Sequence, residues 1–168
     1  QIDSGELDLA INGGKTSYKR QICQEQILDD ALILIASARN PICRLKKACR
    51  QDLAGEQFIV HNANSQLYTY YEKMIQQLGI PERIGMSLGN IEAIKSAVLM
   101  NVGIALVPRV AVRAELQKGE LCTVAVPLTG MDYPYSIIYN KSKALSTTAR
   151  RFVIFVCEQC EVTETPKS

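Results

Sequence analysis

The sequence lacks any long hydrophobic run. Its longest uninterrupted apolar stretches, residues 31–36 and 152–157, contain six residues each. Because a helix needs about 20 apolar residues to cross a bilayer, we expect no membrane span and no membrane partner. The chain opens on Gln1 without a basic start or an apolar segment, so we also expect no export signal. No methionine opens it, and we expect a piece of a longer protein.

Neither sign of charge is in large excess. The chain has 19 Lys and Arg residues against 17 Asp and Glu residues, for a net charge of +2. This balance excludes a strongly basic nucleic-acid-binding protein, which needs a concentrated positive face. With 47% apolar residues in 168, the chain has enough apolar side chains to bury a core and is not disordered.

Cysteine is too sparse for a disulfide-stabilised scaffold, with 6 residues in 168. Without an export signal, this predicts reduced thiols and a cytoplasmic protein. Cys157 and Cys160 form a CxxC near the end of a predicted helix, where the helix dipole disfavours thiolates, and no second CxxC exists for zinc. Cys43 and Cys49 remain a possible redox pair, since positive charge favours thiolates. The flanking cations are Arg44, Lys46, Lys47 and Arg50.

Short apolar runs alternate with helical patterns along the chain. The continuous Leu/Ile run at 31–37 predicts a strand buried on both faces. Alternation of strands and helices predicts an α/β fold with a mostly parallel sheet. The other predicted strands are 7–11, 57–61, 83–88, 104–107, 121–126 and 134–139, and the predicted helices are 65–78, 91–100, 109–117 and 146–160.

Two of these helices carry clear end signals. The helix at 65–78 is closed by Gly79 and Pro81. The helix at 91–100 begins after Asn90, a good N-cap residue. It ends at Asn101, where the left-handed conformation that closes many helices is expected.

Catalytic motifs are missing. The single histidine, His61, stands at a predicted strand end, and a structural role explains it. The sequence contains no GxSxG, HExxH, phosphate-binding loop or GxGxxG. We therefore expect a protein that is not an enzyme and uses no cofactor or metal.

One loop has the chemistry of a binding site. Asn62, Ala63, Asn64 and Ser65 join a predicted strand to a helix start, where open α/β sheets bind ligands. Free N–H groups and the helix dipole favour an anion there. No acidic residue lies between positions 56 and 72 to repel it. Capping of the helix by Asn64 or Ser65 would explain the same residues.

The order of motifs resembles the effector-binding domain of LysR-type transcriptional regulators. The resemblance covers nearly the whole chain, and its motifs are loose singly but specific in order and spacing. Asn101 stands where the family usually has glycine. The segments that carry the resemblance are 4–11, 28–37 with Asn40 and Pro41, 52–56, 90–98 leading into 101–108, and 144–152.

The resemblance implies two Rossmann-like lobes of the type 2 periplasmic-binding-protein kind. Residues 1–23 and 139–168 would form lobe I, and residues 24–138 would form lobe II. The family domain starts with a strand, a helix and a second strand before the segment at 4–11. Lobe I would therefore be incomplete in this chain and expose a sheet edge, and the N-terminal winged helix-turn-helix DNA-binding domain would be absent.

The resemblance also implies a sensor. A small anionic effector would bind in the cleft between the lobes and control transcription, with DNA contacted only through the absent domain. We expect a homo-oligomer, a dimer or tetramer, with the helix at 91–100 in its dimer face. Segments 88–95 and 143–146 are similar to the family's carbon-fixation regulators, which sense phosphorylated sugars or related acids. The implied effector contacts are Asn12, Gly13, Asn62, Ala63, Asn64 and Ser65.

Three alternatives stay open at this point. A thiol redox-sensing regulator of the same fold would use Cys43 with Cys49, or Cys157 with Cys160. A periplasmic-type solute-binding protein has a similar architecture but would need an export signal. An enzyme would need a catalytic set that the sequence does not display.

Overall fold

A computed structural model describes residues 1–2, 4 and 6–161 of the chain. The chain divides into two compact units: unit 1 contains Gln1–Asp30 and Asp132–Ser168, and unit 2 contains Ala31–Met131. The resemblance implies lobe boundaries after residues 23 and 138, whereas the units divide after residues 30 and 131. The equivalence of these units to the family's lobes stays a prediction.

Eight strands and five α-helices make up the described part of the chain. The strands are β1 (Leu9–Gly13), β2 (Ile22–Leu28), β3 (Leu32–Ser37), β4 (Phe58–His61), β5 (Ile84–Leu88), β6 (Ala105–Pro108), β7 (Leu121–Thr123) and β8 (Tyr135–Asn140). The helices are α1 (Arg50–Ala54), α2 (Gln66–Leu78), α3 (Ile91–Leu99), α4 (Arg113–Gln117) and α5 (Thr147–Glu161), with 3-10 turns at Pro41–Arg44 and Arg109–Val112. None of the helices described is long and apolar enough to span a bilayer.

Unit 1 contains a three-stranded sheet in the order β1-β8-β2. Both outer strands run antiparallel to β8, whose Ile137 and Ile138 are buried. Within the described residues, β1 has a strand neighbour on one side only, and Ile11 on it is exposed. Whether this open edge is the one expected from an incomplete lobe stays a prediction.

Unit 2 is built around β3, which lies between β6 and β7 in the order β6-β3-β7. All six residues of β3 are buried, which confirms the strand predicted to be covered on both faces. A parallel pair, β4 and β5, adjoins this sheet through a bridge from Phe58 to Ile104. The main apolar cluster joins these strands to α3 and consists of Ile33, Ile35, Ile59, Ile94, Val98, Ala105, Val107, Val112 and Leu121.

The prediction of a mostly parallel sheet is wrong for the part of the chain described. Four of the five strand pairs are antiparallel, and only β4 with β5 is parallel. An apolar run indicates that a strand is buried, but its direction depends on distant strands that the run does not identify. The parallel pair occurs where a helix, α2, connects the two strands.

The ends of α3 lie where the sequence predicts them. The side-chain oxygen of Asn90 accepts a hydrogen bond from the N–H of Ala93 at 2.8 Å. Asn101 has a φ of 60°, the left-handed conformation expected just after the helix. Two elements, β2 and α1, were not predicted.

An ion-pair network fixes α3 against α4. The Lys95 ammonium lies 2.8 Å from Glu92 and 3.1 Å from Glu115. The hydrogen bond to Glu92, with a smaller contribution from Glu115, raises the pKa of Lys95. A hydrogen bond from its own backbone N–H, followed by Lys95, lowers the pKa of Glu115. Both groups are therefore charged at neutral pH, and their ion pair joins α3 to α4.

Gly103 has no room for a side chain. A Cβ there would overlap the backbone oxygen of Gln57, which accepts the N–H of Ile104 at 2.9 Å. We expect Gly103→Ala to lower the free energy of unfolding by about 1–3 kcal/mol, since a rigid backbone must move. The measurement is equilibrium unfolding in urea.

Gly55→Ala is the matched control. A Cβ at Gly55 would meet no atom within 4 Å. We expect a change within about 0.5 kcal/mol. Equal stability of the two variants would contradict the close approach at Gly103.

Candidate functional site

The parallel strands β4 and β5 end at one edge of unit 2. His61 at the end of β4 lies opposite Leu88 at the end of β5. The Asn62 side-chain nitrogen lies 3.6 Å from the position that a Cβ would take at Gly89, so the loops after the two strands meet. Because α/β sheets bind ligands beyond the carboxyl ends of their strands, this edge is the candidate site.

The loop after β4 presents polar groups to solvent. Asn62, Ala63 and Asn64 are exposed, and Ser65 is half-buried. The Ser65 N–H donates to the Asn62 carbonyl at 2.9 Å, and the Ser65 hydroxyl oxygen accepts the N–H of Tyr68 at 3.1 Å. Ser65 is therefore the N-cap of α2, and the exposed Asn64 side chain is left to face solvent.

The two helix starts at this edge differ in charge. The first turn of α2 contains no acidic residue, whereas that of α3 contains Glu92. The first N–H groups of a helix lack helical acceptors and carry partial positive charge. Burial, followed by the carboxylate of Glu82, raises the pKa of Tyr68, which keeps this phenol protonated in the first turn of α2. The start of α2 thus favours an anion more than the start of α3.

Among the described residues, His61 Nδ1 and the Tyr71 hydroxyl are buried and have no hydrogen-bond partner. The Tyr71 ring lies 5.5 Å from that of Phe58 on β4, measured between ring centroids. Burial is the main cause that raises the pKa of Tyr71, so this hydroxyl stays neutral. Tyr71 therefore anchors α2 on β4. The structural role expected of His61 stays a prediction.

The six predicted effector contacts lie in two different units. Asn62, Ala63, Asn64 and Ser65 form one continuous loop in unit 2. Asn12 and Gly13 belong to β1 in unit 1, where Asn12 Nδ2 donates to the Thr16 hydroxyl at 3.4 Å. A Cβ at Gly13 would lie 2.5 Å from the Tyr133 ring, so that ring packs directly on the glycine. The assignment of Asn12 and Gly13 as effector contacts stays a prediction from the resemblance.

Unit 1 also contains an open cavity that the sequence did not indicate. Its volume is about 440 Å³, and it lies between the end of β8 and α5. Its walls include three cations, Lys141, Lys143 and Arg150, and none of the six predicted contacts.

The cysteines differ from the expectation of reduced thiols. Cys43 forms a disulfide with Cys122, with their Cα atoms 5.9 Å apart, so the predicted pair of Cys43 with Cys49 is wrong. The two cysteines are 79 residues apart in sequence, so their spacing does not indicate that they pair. Cys157 and Cys160 lie on α5 and are not part of this disulfide. In the described residues, no cluster of His, Cys, Asp and Glu could hold a metal ion.

Comparison with known families identifies the chain. The family model described as the LysR substrate binding domain matches residues 1–161. The chain belongs to this family. The motifs at 90–98 and 101–108, on which the resemblance depended most, lie within the match.

The curated relatives are named as regulators of transcription. A probable RuBisCO transcriptional regulator of Cyanophora paradoxa is 31% identical over 156 residues, covering 90% of this chain and 48% of the relative. One from Nostoc sp. is 32% identical over 159 residues, covering 90% of this chain and 46% of the relative. The chain spans about half the length of the curated relatives it matches. The expectation that it is not an enzyme agrees with these descriptions.

Solved structures confirm the predicted fold class. The regulatory domain of CcmR from Synechocystis PCC6803, in complex with 2-PG, matches with a TM-score of 0.82 at 20% identity, covering 99% of this chain and 78% of that one. The effector-binding domain of QuiR, in complex with shikimate, matches with a TM-score of 0.77 at 17% identity, covering 96% and 76%. The chain therefore has the α/β, type 2 periplasmic-binding-protein fold of LysR effector-binding domains.

The cap of α2 is testable by substitution. Ser65→Ala removes the acceptor of the Tyr68 N–H, and we expect it to lower the free energy of unfolding by about 1 kcal/mol. Ser65→Asp keeps an acceptor at the helix start and should restore most of that loss. Chemical denaturation measures both. An unchanged Ser65→Ala, or an Asp variant no better than Ala, would show that Ser65 does not cap the helix.

Proposed function

We propose that this chain is the effector-sensing domain of a transcriptional regulator and binds a small anion at the start of α2. The observation that carries the proposal is the uncharged loop of residues 62–65, exposed at positions 62–64, at a helix start whose first turn has no acidic residue. An anion there would accept hydrogen bonds from backbone N–H groups, and its charge would be stabilised by the helix dipole.

Asn64 is the side chain we assign to the effector in this loop. Ser65 already accepts the N–H of Tyr68, whereas Asn64 is exposed beside it and carries both a donor and an acceptor. Asn62 and Ala63 complete the loop, and Asn12 and Gly13 of unit 1 are proposed as further contacts. Two structural neighbours are described in complexes with 2-PG and with shikimate. Both ligands are anionic, which supports an acidic metabolite as the effector class.

The rest of the regulator is proposed from the length of its relatives. The curated relatives are about twice as long as this chain, which leaves room for a separate DNA-binding domain and for a segment that covers the open edge of β1. The net charge of +2 gives this chain little overall attraction for DNA, which supports contact with DNA through that other domain. A regulator of transcription works in the compartment that holds DNA, and we propose a cytoplasmic location on this ground.

Effector binding can be measured by thermal unfolding of the 168-residue chain with 2-phosphoglycolate, 2-phosphoglycerate and shikimate. A ligand at 100 times its Kd adds about 2.7 kcal/mol of stability, which raises Tm by roughly 5–11 °C for a chain of this size. Asn64→Asp places a negative charge beside the anion and should weaken binding at least about tenfold, equivalent to about 1.4 kcal/mol.

The control is Gln76→Glu, which makes the same change of charge near the other end of α2. Gln76 is exposed. This variant should bind as the wild type does. No shift with any of the three compounds would count against an acidic effector. Equal binding by Asn64→Asp would count against the loop as its site.

We further propose that a second copy of the chain covers β5. Four of its five residues are exposed, and among the described strands it pairs only with β4. Its exposed side includes Ile84 and Met86, and Met100 and Val102 just after α3 are exposed as well. An open strand edge with apolar side chains pairs readily with another chain. This supports the homo-oligomer expected from the resemblance.

Met86→Lys should reduce self-association, because it places a charge within the proposed interface. Sedimentation over a concentration series gives the average mass. Leu45→Lys is the control, since Leu45 is equally exposed in unit 2 but lies away from β5 in sequence. A wild-type chain that stays monomeric, or a Met86→Lys variant that associates normally, would exclude this interface.

A further inference from the structure

The disulfide between Cys43 and Cys122 joins two parts of unit 2 at the end of β3. Cys43 lies in the 3-10 turn Pro41–Arg44, and Cys122 lies in the middle of β7, opposite Ala36 of β3. The four other cysteines of the chain are not part of this disulfide. The fold therefore brings together one particular pair of the six cysteines, whose members lie 79 residues apart in sequence.

The residues around this bond connect β7, β3 and the end of α3. The N–H of Ala38 donates to the Glu120 carbonyl at 3.0 Å, and that of Ala48 donates to the Ala125 carbonyl at 2.9 Å. The Arg39 guanidinium donates to the carbonyl of Leu99, the last residue of α3, at 2.8 Å. The segment 38–49 thus lies over the edge of the sheet and holds the end of α3, and the disulfide fastens its middle to β7.

Several features make this bond accessible to thiol exchange. Cys43 and Cys122 are both half-buried, and β7 is a three-residue strand at the edge of its sheet. Cys49 is an exposed free thiol only six positions beyond Cys43. Nearby positive charge stabilises the thiolates that leave and attack during exchange. The exposed cations of this segment are Arg44, Lys46, Lys47 and Arg50.

We propose that the Cys43–Cys122 disulfide is a reversible redox clasp. When it is closed, it fastens segment 38–49 to β7, and this segment holds the end of α3 through Arg39. A thiolate of a dithiol reductant of the CxxC class attacks one sulfur, forms a mixed disulfide and releases the other sulfur as a thiolate, which takes up a proton. The second thiol of the reductant then breaks the mixed disulfide. Two electrons and two protons pass to the chain, and the reductant becomes a disulfide. Oxidation reverses these steps with a disulfide oxidant.

The test is alkylation of thiols and mass spectrometry on the 168-residue chain equilibrated in a series of glutathione redox buffers. Cys43 and Cys122 should change together as one two-electron couple, while Cys23, Cys157 and Cys160 stay open to alkylation throughout. Reduction should accelerate amide hydrogen exchange at Ala38 and Ala48 several-fold and lower Tm by about 10 °C.

Cysteine variants separate the clasp from general loss of stability. In every buffer, Cys43→Ser and Cys122→Ser should each show the amide hydrogen exchange of the reduced wild type. Cys49→Ser should keep the redox couple of Cys43 with Cys122. Three results would overturn the proposal: Cys43 and Cys122 pair with other cysteines or not at all, the bond resists every buffer in the series, or exchange at Ala38 and Ala48 is the same in both states. None of these depends on the effector.

Discussion

Burial of β3 on both faces is the constraint on which unit 2 depends. A strand covered on both sides must pair its backbone groups with neighbouring strands, because no water reaches them. The strands β6 and β7 provide these partners on its two edges. Ile33 and Ile35 then pack with Ile94 and Val98 of α3, and each such side chain contributes about 1.5–3 kcal/mol when fully buried. The position of α3 therefore follows from the position of β3.

The same packing fixes the candidate site without using the site's own residues. Asn62, Ala63 and Asn64 are exposed and contribute nothing to the core. Their position is set by β4, whose Ile59 belongs to the α3 cluster, and by α2, whose Tyr71 packs on Phe58. A loop held at both ends by buried elements keeps its backbone in place, while its exposed side chains remain available to suit a ligand.

Local signals were readable in the sequence, and long-range pairings were not. A capping residue acts on the helix turn next to it, so residue type alone places the ends of α2 and α3 to within a residue. At the start of α2 the sequence left Asn64 and Ser65 as alternatives, and the structure has Ser65. The direction of the strands depends on partners far along the chain. The disulfide has the same origin, because Cys122 reaches Cys43 only once β7 has paired with β3.

The strand β2 was missed for a different reason. Its inward positions alternate with the exposed Gln24 and Gln26, which is the pattern of a strand, but one inward residue is Glu25. That carboxylate accepts a hydrogen bond from the Tyr139 hydroxyl on β8, and so a charged residue stands where the pattern requires an apolar one. The binding residues could be proposed from sequence because helix starts are local; contacts from another part of the chain, such as Asn12 and Gly13, depended entirely on the resemblance.

The helix α3 connects the two features to which function is assigned. Its start follows β5 at the candidate site, and its last carbonyl, on Leu99, is held by Arg39 beside the clasp. Nine residues of helix span about 13 Å, so the two ends are close, and the buried Ile94 and Val98 lie between them. Coupling between distant groups requires an element with two discrete arrangements, and a bond that is either closed or open supplies them. Such coupling is reciprocal: if the closed clasp favours the anion, the anion must equally favour the closed clasp.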